Sequence, residues 1–141
     1  MKGTLRRMGA ALAATVVMGV LSVAPVGATA GDAAATRSVT GQQVKKRQMR
    51  KAKIVFLDTR SSIDGEVIDG AYNVPPDVVD AWATRVSKST YIVAYCTCED
   101  DGLAIQAVQA LQRLGFTNAY VLKGGLDAAR AAGVPMGRLA G

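Results

Sequence analysis

Three short apolar runs carry no alternation of polar and apolar residues: Ile54-Val55-Phe56-Leu57, Tyr91-Ile92-Val93-Ala94-Tyr95 and Ala119-Tyr120-Val121-Leu122. A strand that faces water on one side alternates, whereas a strand covered on both sides does not. These runs therefore predict strands buried on both faces. Segments of helical character lie between them. Leu103 to Leu114 places Ala104, Ala107, Val108 and Leu111 at i, i+3, i+4 and i+7, and Gly115 follows as a left-handed cap. Thr40-Gly41-Gln42-Gln43 has the capping-box pattern and predicts a basic helix running to about Ala52. Asp77 is expected to cap a short helix through about Arg85, with Val78, Val79 and Trp82 on one side. Tyr72-Asn73-Val74 reads as a brief strand closed by Pro75-Pro76, and Thr59 to Gly70 as a loop. Gly124-Gly125 turns into a last short helix ending near Gly133-Val134-Pro135. Strand alternating with helix predicts an α/β domain with a central, mainly parallel sheet flanked by helices on both faces.

The first thirty residues stand apart from this pattern. Lys2, Arg6 and Arg7 form a positive start, Met8 to Val23 is apolar, and Ala28-Thr29-Ala30 supplies small residues after Pro25 and Gly27. That order is an export signal, with the cut expected after Ala30. The apolar stretch is short against the ~20 residues of a membrane span, so no stable span is expected after cleavage. The general secretory route is expected, since the surroundings of Arg6-Arg7 match a twin-arginine signal poorly. Localisation is then periplasmic or secreted. Residues 31–37 read as a flexible lead and 38–141 as the domain.

The 141 residues carry a net charge of +6. Removal of residues 1–30 leaves 14 basic and 11 acidic residues, a net of +3. Most of the excess sits in Lys45, Lys46, Arg47, Arg50, Lys51 and Lys53. One basic segment on a mildly acidic domain does not predict a nucleic-acid partner. It reads as a solvated helix face, or as a docking site for an acidic protein through Lys45, Lys46, Arg47 and Arg50.

There is no histidine, and there are two cysteines. This excludes Ser-His-Asp and Cys-His machinery, and a four-cysteine metal site; neither metal nor cofactor is expected. In open parallel sheets, sites form beyond the carboxyl ends of the strands. There Leu57 runs into Asp58, and Tyr95 into Cys96. The loop from Cys96 leads to a helix start, whose free amides and dipole favour an anion and lower a thiol's pKa.

At this point the chain resembles the single-domain rhodaneses, a family of sulfurtransferases. Leu57-Asp58-Thr59-Arg60 resembles the strand-end D-x-R motif, and Gly65 to Pro75 the segment written GHIPGAxNIP. Tyr91 to Cys96 resembles the strand that delivers the catalytic cysteine, and Val108 to Phe116 the helix AxxLxxxGF. Ala119 to Gly125 resembles VxxLxGG, and Gly133-Val134-Pro135 the closing GxP. The motifs come in the family's order from about Val39 to Met136. The resemblance implies a rhodanese-like fold. It also implies a cysteine that takes sulfane sulfur from a donor such as thiosulfate, holds it as a persulfide, and yields it to a thiol acceptor. The loop Thr97, Glu99, Asp100, Asp101, Gly102 and Leu103 would cradle the sulfur. Asp58 and Arg60 read as an ion pair fixing the loop beside the site, with direct substrate binding as the alternative.

This chain departs from the pattern at several positions. Its loop is two residues longer than the common form, as in variants carrying C-x-C. Cys96 is favoured as nucleophile because it directly follows the strand; Cys98 is the alternative nucleophile or a resolving thiol. Glu99, Asp100 and Asp101 stand where active members commonly have Gly, Arg and Ser. As capping groups they would stabilise the helix start; as site lining they would repel thiosulfate and raise the thiol pKa. Gly102 and Ala104, six positions after the two cysteines, leave no arginine for the phosphate chemistry of related phosphatases. Glu66 replaces a common His, and Ala129 a common Trp. Two other functions stay open. One is thiol–disulfide exchange at Cys96-Thr97-Cys98, since a bridge across one residue is easily reduced. The other is a catalytically silent binding module.

Overall fold

A computed structural model describes residues 35–141 of the chain. The expected export signal and most of the expected lead lie outside the described residues. The elements run β1 (Ser38–Val39), α1 (Gly41–Met49), β2 (Val55–Asp58), β3 (Val67–Ile68), β4 (Tyr72–Asn73), a 3-10 turn (Pro76–Val78), α2 (Val79–Ala83), β5 (Ile92–Tyr95), α3 (Gly102–Arg113), β6 (Ala119–Leu122), α4 (Gly125–Ala131) and β7 (Met136–Gly137). Five strands form one sheet in the order β1-β6-β5-β2-β4, every neighbouring pair parallel. A separate antiparallel pair joins β3 to β7.

The unalternated runs are buried on both faces. Leu57, Ile92, Ala94, Ala119 and Val121 enter a cluster that also holds Val79, Ala83, Ala107, Val108 and Leu111 of α2 and α3. Phe56, Val93, Tyr95 and Leu122 enter a second cluster with Val44 of α1 and Leu126 and Ala129 of α4. Successive strand residues thus feed opposite clusters, as the period of two requires. The sheet is covered by α2 and α3 on one side and by α1 and α4 on the other.

Three helices end in the same way. After α3, Gly115 at φ +91° donates to the Gln112 carbonyl and Phe116 donates to that of Leu111. That is the Schellman arrangement, closed by contact between Leu111 and Phe116 in the core. After α4, Gly133 and Val134 repeat it onto Arg130 and Ala129. After α1, Lys51 takes the left-handed position at φ 58°, and Ala52 donates to Arg47. The basic helix therefore stops at Met49, three residues before the expected end. Its start is the expected capping box, with Thr40 and Gln43 exchanging backbone and side-chain bonds.

Other differences have local causes. Asp77 caps nothing: it lies inside the 3-10 turn that follows Pro75, and α2 starts only at Val79. Val78 is consequently exposed, while Val79 and Ala83 face the core. Strand β1 extends into the lead, where the Arg37 carbonyl accepts from the Val121 amide. The basic helix is not simply a solvated face. Lys45 donates to the Gly133 carbonyl, and the Arg47 guanidinium lies 3.7 Å from the Tyr91 ring centroid. Lys46 and Arg50 remain exposed.

Leu111 is fully buried and carries both the α3 packing and its cap. Leu111→Ala is expected to cost about 2–5 kcal/mol in urea unfolding. Val78→Ala, at an exposed position, should stay within about 0.5 kcal/mol of the parent.

Candidate active site

Strands β2 and β5 lie side by side at the centre of the sheet, with Asp58 in register with Tyr95. Both chains leave the sheet at the same edge, and the first groups beyond it are polar. Thr59 donates twice to the Tyr95 carbonyl, from its amide and from its hydroxyl, each at 2.9 Å. The Tyr95 hydroxyl, buried beside Asp58 and Arg60, accepts from the Ile68 amide at 3.0 Å. Burial pushes this phenol well above its ordinary pKa, so it stays protonated and rigid.

Asp58 is fully buried and meets Arg60 through two parallel bonds, Nε to Oδ1 and Nη2 to Oδ2. The guanidinium gives two further bonds, to the Asp64 and Glu66 carbonyls. Its hydrogen bond to Asp58 raises its pKa further, against the opposing effect of burial. Arg60 thereby gives four of its five side-chain N–H donors to protein acceptors and organises the loop from Thr59 to Glu66. Asn73 secures the same loop by donating to the Asp58 and Arg60 carbonyls. Glu66 turns to α4, where its Oε2 accepts from Arg130 at 2.7 and 2.9 Å.

The loop after β5 is held from its first residue. The Cys96 carbonyl accepts from the Leu126 amide at 3.1 Å. A Cβ at Gly125 would overlap that carbonyl oxygen, and Gly125 has φ +58°. Glycine is required there for both reasons. The Gly-Gly pair is thus a docking surface for the cysteine loop as well as a turn. Cys96 is fully buried, Cys98 is partly exposed, and a disulfide joins them with their Cα atoms 5.6 Å apart.

The loop acids have distinct partners. Asp100 Oδ1 accepts from the Gly102 amide, the first of α3. Asp101, left-handed at φ 55°, extends Oδ2 to the Gly124 amide at 3.0 Å and leaves Oδ1 buried without a partner. Neither is a conventional side-chain cap from the Ncap residue. One carboxylate nevertheless occupies the helix start, where an anionic ligand would gain most. Glu99 and Thr97 are exposed, and Leu103 packs its side chain against the core. Beside the acids lies a cavity of about 280 Å³ that also borders Thr36, Ser38 and Lys123. Lys123 and Gly125 were not among the expected site residues; the glycine doublet was the available signal for the second.

The profile of the rhodanese-like domain matches residues 40–132. This chain belongs to the rhodanese-like family. Its fold is that of the family, and the matching motifs occupy the positions described above. No curated protein matches it. Among solved structures it is similar to the rhodanese-like domain of the Anabaena protein Alr3790, with 30% identity, a TM-score of 0.61, and coverage of 73% of this chain and 80% of that one. It is also similar to a thiosulfate sulfurtransferase from Pseudomonas aeruginosa, with 27% identity and a TM-score of 0.62. That match covers 72% of this chain but 20% of the longer one. A Lactobacillus plantarum protein at 24% identity and a TM-score of 0.64 shares the fold.

Removing the Asp58 charge would leave Arg60 buried without its counter-ion. Asp58→Asn is expected to destabilise the domain by about 3–5 kcal/mol, the cost of breaking one side of a buried pair. Arg60→Lys should fail to restore native stability, because an ammonium cannot reproduce the two parallel bonds. Chemical denaturation of the two variants checks both expectations.

Proposed function

We propose that this chain is an exported sulfurtransferase that carries sulfane sulfur on Cys96. The observation that supports this most is the placement of Cys96, at the carboxyl end of the central strand and one loop before the α3 N-terminus. The Pseudomonas structure, a thiosulfate sulfurtransferase, supports the same chemistry. In the reading proposed, the Cys96 thiolate attacks the outer sulfur of thiosulfate. The donor's S–S bond breaks, sulfite leaves with the bonding pair, and Cys96 holds a persulfide. A thiolate acceptor then attacks the terminal sulfur and returns Cys96 as thiolate. The α3 dipole and loop amides stabilise the anionic sulfur, so no histidine base is required.

The Cys96–Cys98 disulfide favours a second reading, in which the pair exchanges disulfides. The two readings share a first step. Cys98 is the more exposed sulfur, so a partner dithiol reaches it first. Attack there breaks the S–S bond and releases Cys96 as thiolate. The partner's second thiol then displaces Cys98, and the partner leaves oxidised. Sulfur transfer therefore requires prior reduction, whereas exchange would end at that point.

Mass spectrometry of the reduced protein after thiosulfate treatment separates the readings. Transfer predicts a gain of about 32 Da, one sulfur, on the Cys96 peptide. Cys98→Ser should keep this gain and Cys96→Ser should abolish it. Full uptake by Cys96→Ser would move the nucleophile to Cys98, and cycling between thiol and disulfide without uptake would favour exchange. Asp100→Asn keeps an acceptor for the Gly102 amide while removing a charge. It is expected to raise kcat/KM for thiosulfate about tenfold, equivalent to ~1.4 kcal/mol of relieved repulsion.

A further inference from the structure

The end of the sheet opposite the cysteine loop holds a cavity of about 520 Å³. It lies where β2 and β5 begin, since Val55 and Tyr91 both line it. Five residue steps along β5 place it about 16 Å from Cys96. Its wall carries Arg47, Lys53 and Arg85, together with Ser87, Ser89 and Thr90, and no carboxylate.

Three like charges around one concavity give it a positive potential. Here none of the three cations forms an ion pair among the described residues. Arg47 is positioned by its stacking on Tyr91, and its Nε is buried without a hydrogen-bond partner. The Ser87 and Ser89 hydroxyls are 3.0 Å apart and form a turn with Thr90, whose amide donates to the Ser87 carbonyl. The Asn118 side chain ties this turn to the neighbouring strand connection through the Ser89 carbonyl. The cavity thus combines an oriented guanidinium, two further cations and a braced turn of hydroxyls.

We propose that this cavity binds a small polyvalent oxyanion of the phosphate or sulfate type. Guanidinium and hydroxyl donors match the several acceptor oxygens of such a group. The surface is an open concavity with room for such an anion and its hydration water. This favours a compact ligand over an acidic protein segment. The site is separate from the cysteine loop and does not depend on sulfur transfer.

The test is NMR titration of the folded chain with inorganic pyrophosphate, and separately with sulfate, at about 0.15 M ionic strength. Saturable shifts are expected at the Arg47 and Arg85 side chains and at the amides of residues 87–91. The better of the two probes shows whether phosphate or sulfate chemistry is preferred. Lys53→Gln with Arg85→Gln should weaken binding at least about tenfold, the effect of losing charge-assisted bonds. Both side chains are exposed and make no hydrogen bonds among the described residues, so the double variant should fold, as circular dichroism would verify. Lys46→Gln with Arg50→Gln removes equal charge elsewhere and should change affinity less than about twofold. Equal weakening by the two double variants would reduce the effect to net charge and overturn the proposal. Shifts confined to residues 96–102, or no saturation, would also overturn it. A glutamate-rich peptide that outcompetes pyrophosphate would overturn it in favour of a protein-docking surface.

Discussion

The contact between the Cys96 carbonyl and the start of α4 is the constraint on which the site depends. The central strand ends inside the protein, so its last carbonyl must find a donor. The Leu126 amide supplies one, and only a glycine at 125 lets the two backbones approach. That approach fixes where the loop begins, and hence where α3 begins. It also places Gly124 within reach of Asp101. The loop length, the acids and the disulfide are all variations on a chain already pinned at this point.

Within that frame the loop is internally opposed. A helix start without its own acceptor is a place for a bound anion. In this chain Asp100 takes the first amide of α3, and Asp101 takes the amide before α4. Both carboxylates stabilise the folded loop locally and both lower its affinity for a second negative charge. The disulfide acts in the same direction, since it closes Cys96 behind Cys98. Folding of the loop is thus favoured at the expense of its capacity to hold an anion.

Much of this was legible in the sequence because it rests on patterns several residues long. The unbroken runs at 54–57, 91–95 and 119–122 had to be strands covered twice, and the i, i+3, i+4, i+7 set in α3 had to face them. Cys96 and Asp58 followed from strand ends. Two-residue strands such as β1, β3 and β7 carry no period, so nothing in the residues marks them. Asp77 resembled a cap, yet it lies inside a 3-10 turn that opens at Pro76, and α2 begins only at Val79. Lys51 resembled a helix residue because a left-handed cap is usually signalled by glycine. The partners of Lys45 and Arg47 are more than forty residues away, and no local pattern records such contacts.

The distribution of charge along the sheet follows from the same topology. In a parallel sheet all strands begin at one end and finish at the other, so the loops sort into two groups by direction alone. Glu99, Asp100 and Asp101 lie in the connection that leaves β5 at the finishing end. Arg47, Lys53 and Arg85 lie in or after the helices that lead back to the starting end. A modest net charge therefore conceals two unlike surfaces separated by the core. The acidic end disfavours a further anion, and the basic end leaves cations uncompensated. Averaging them as one overall charge would hide the features that distinguish this chain from a neutral scaffold of the same fold.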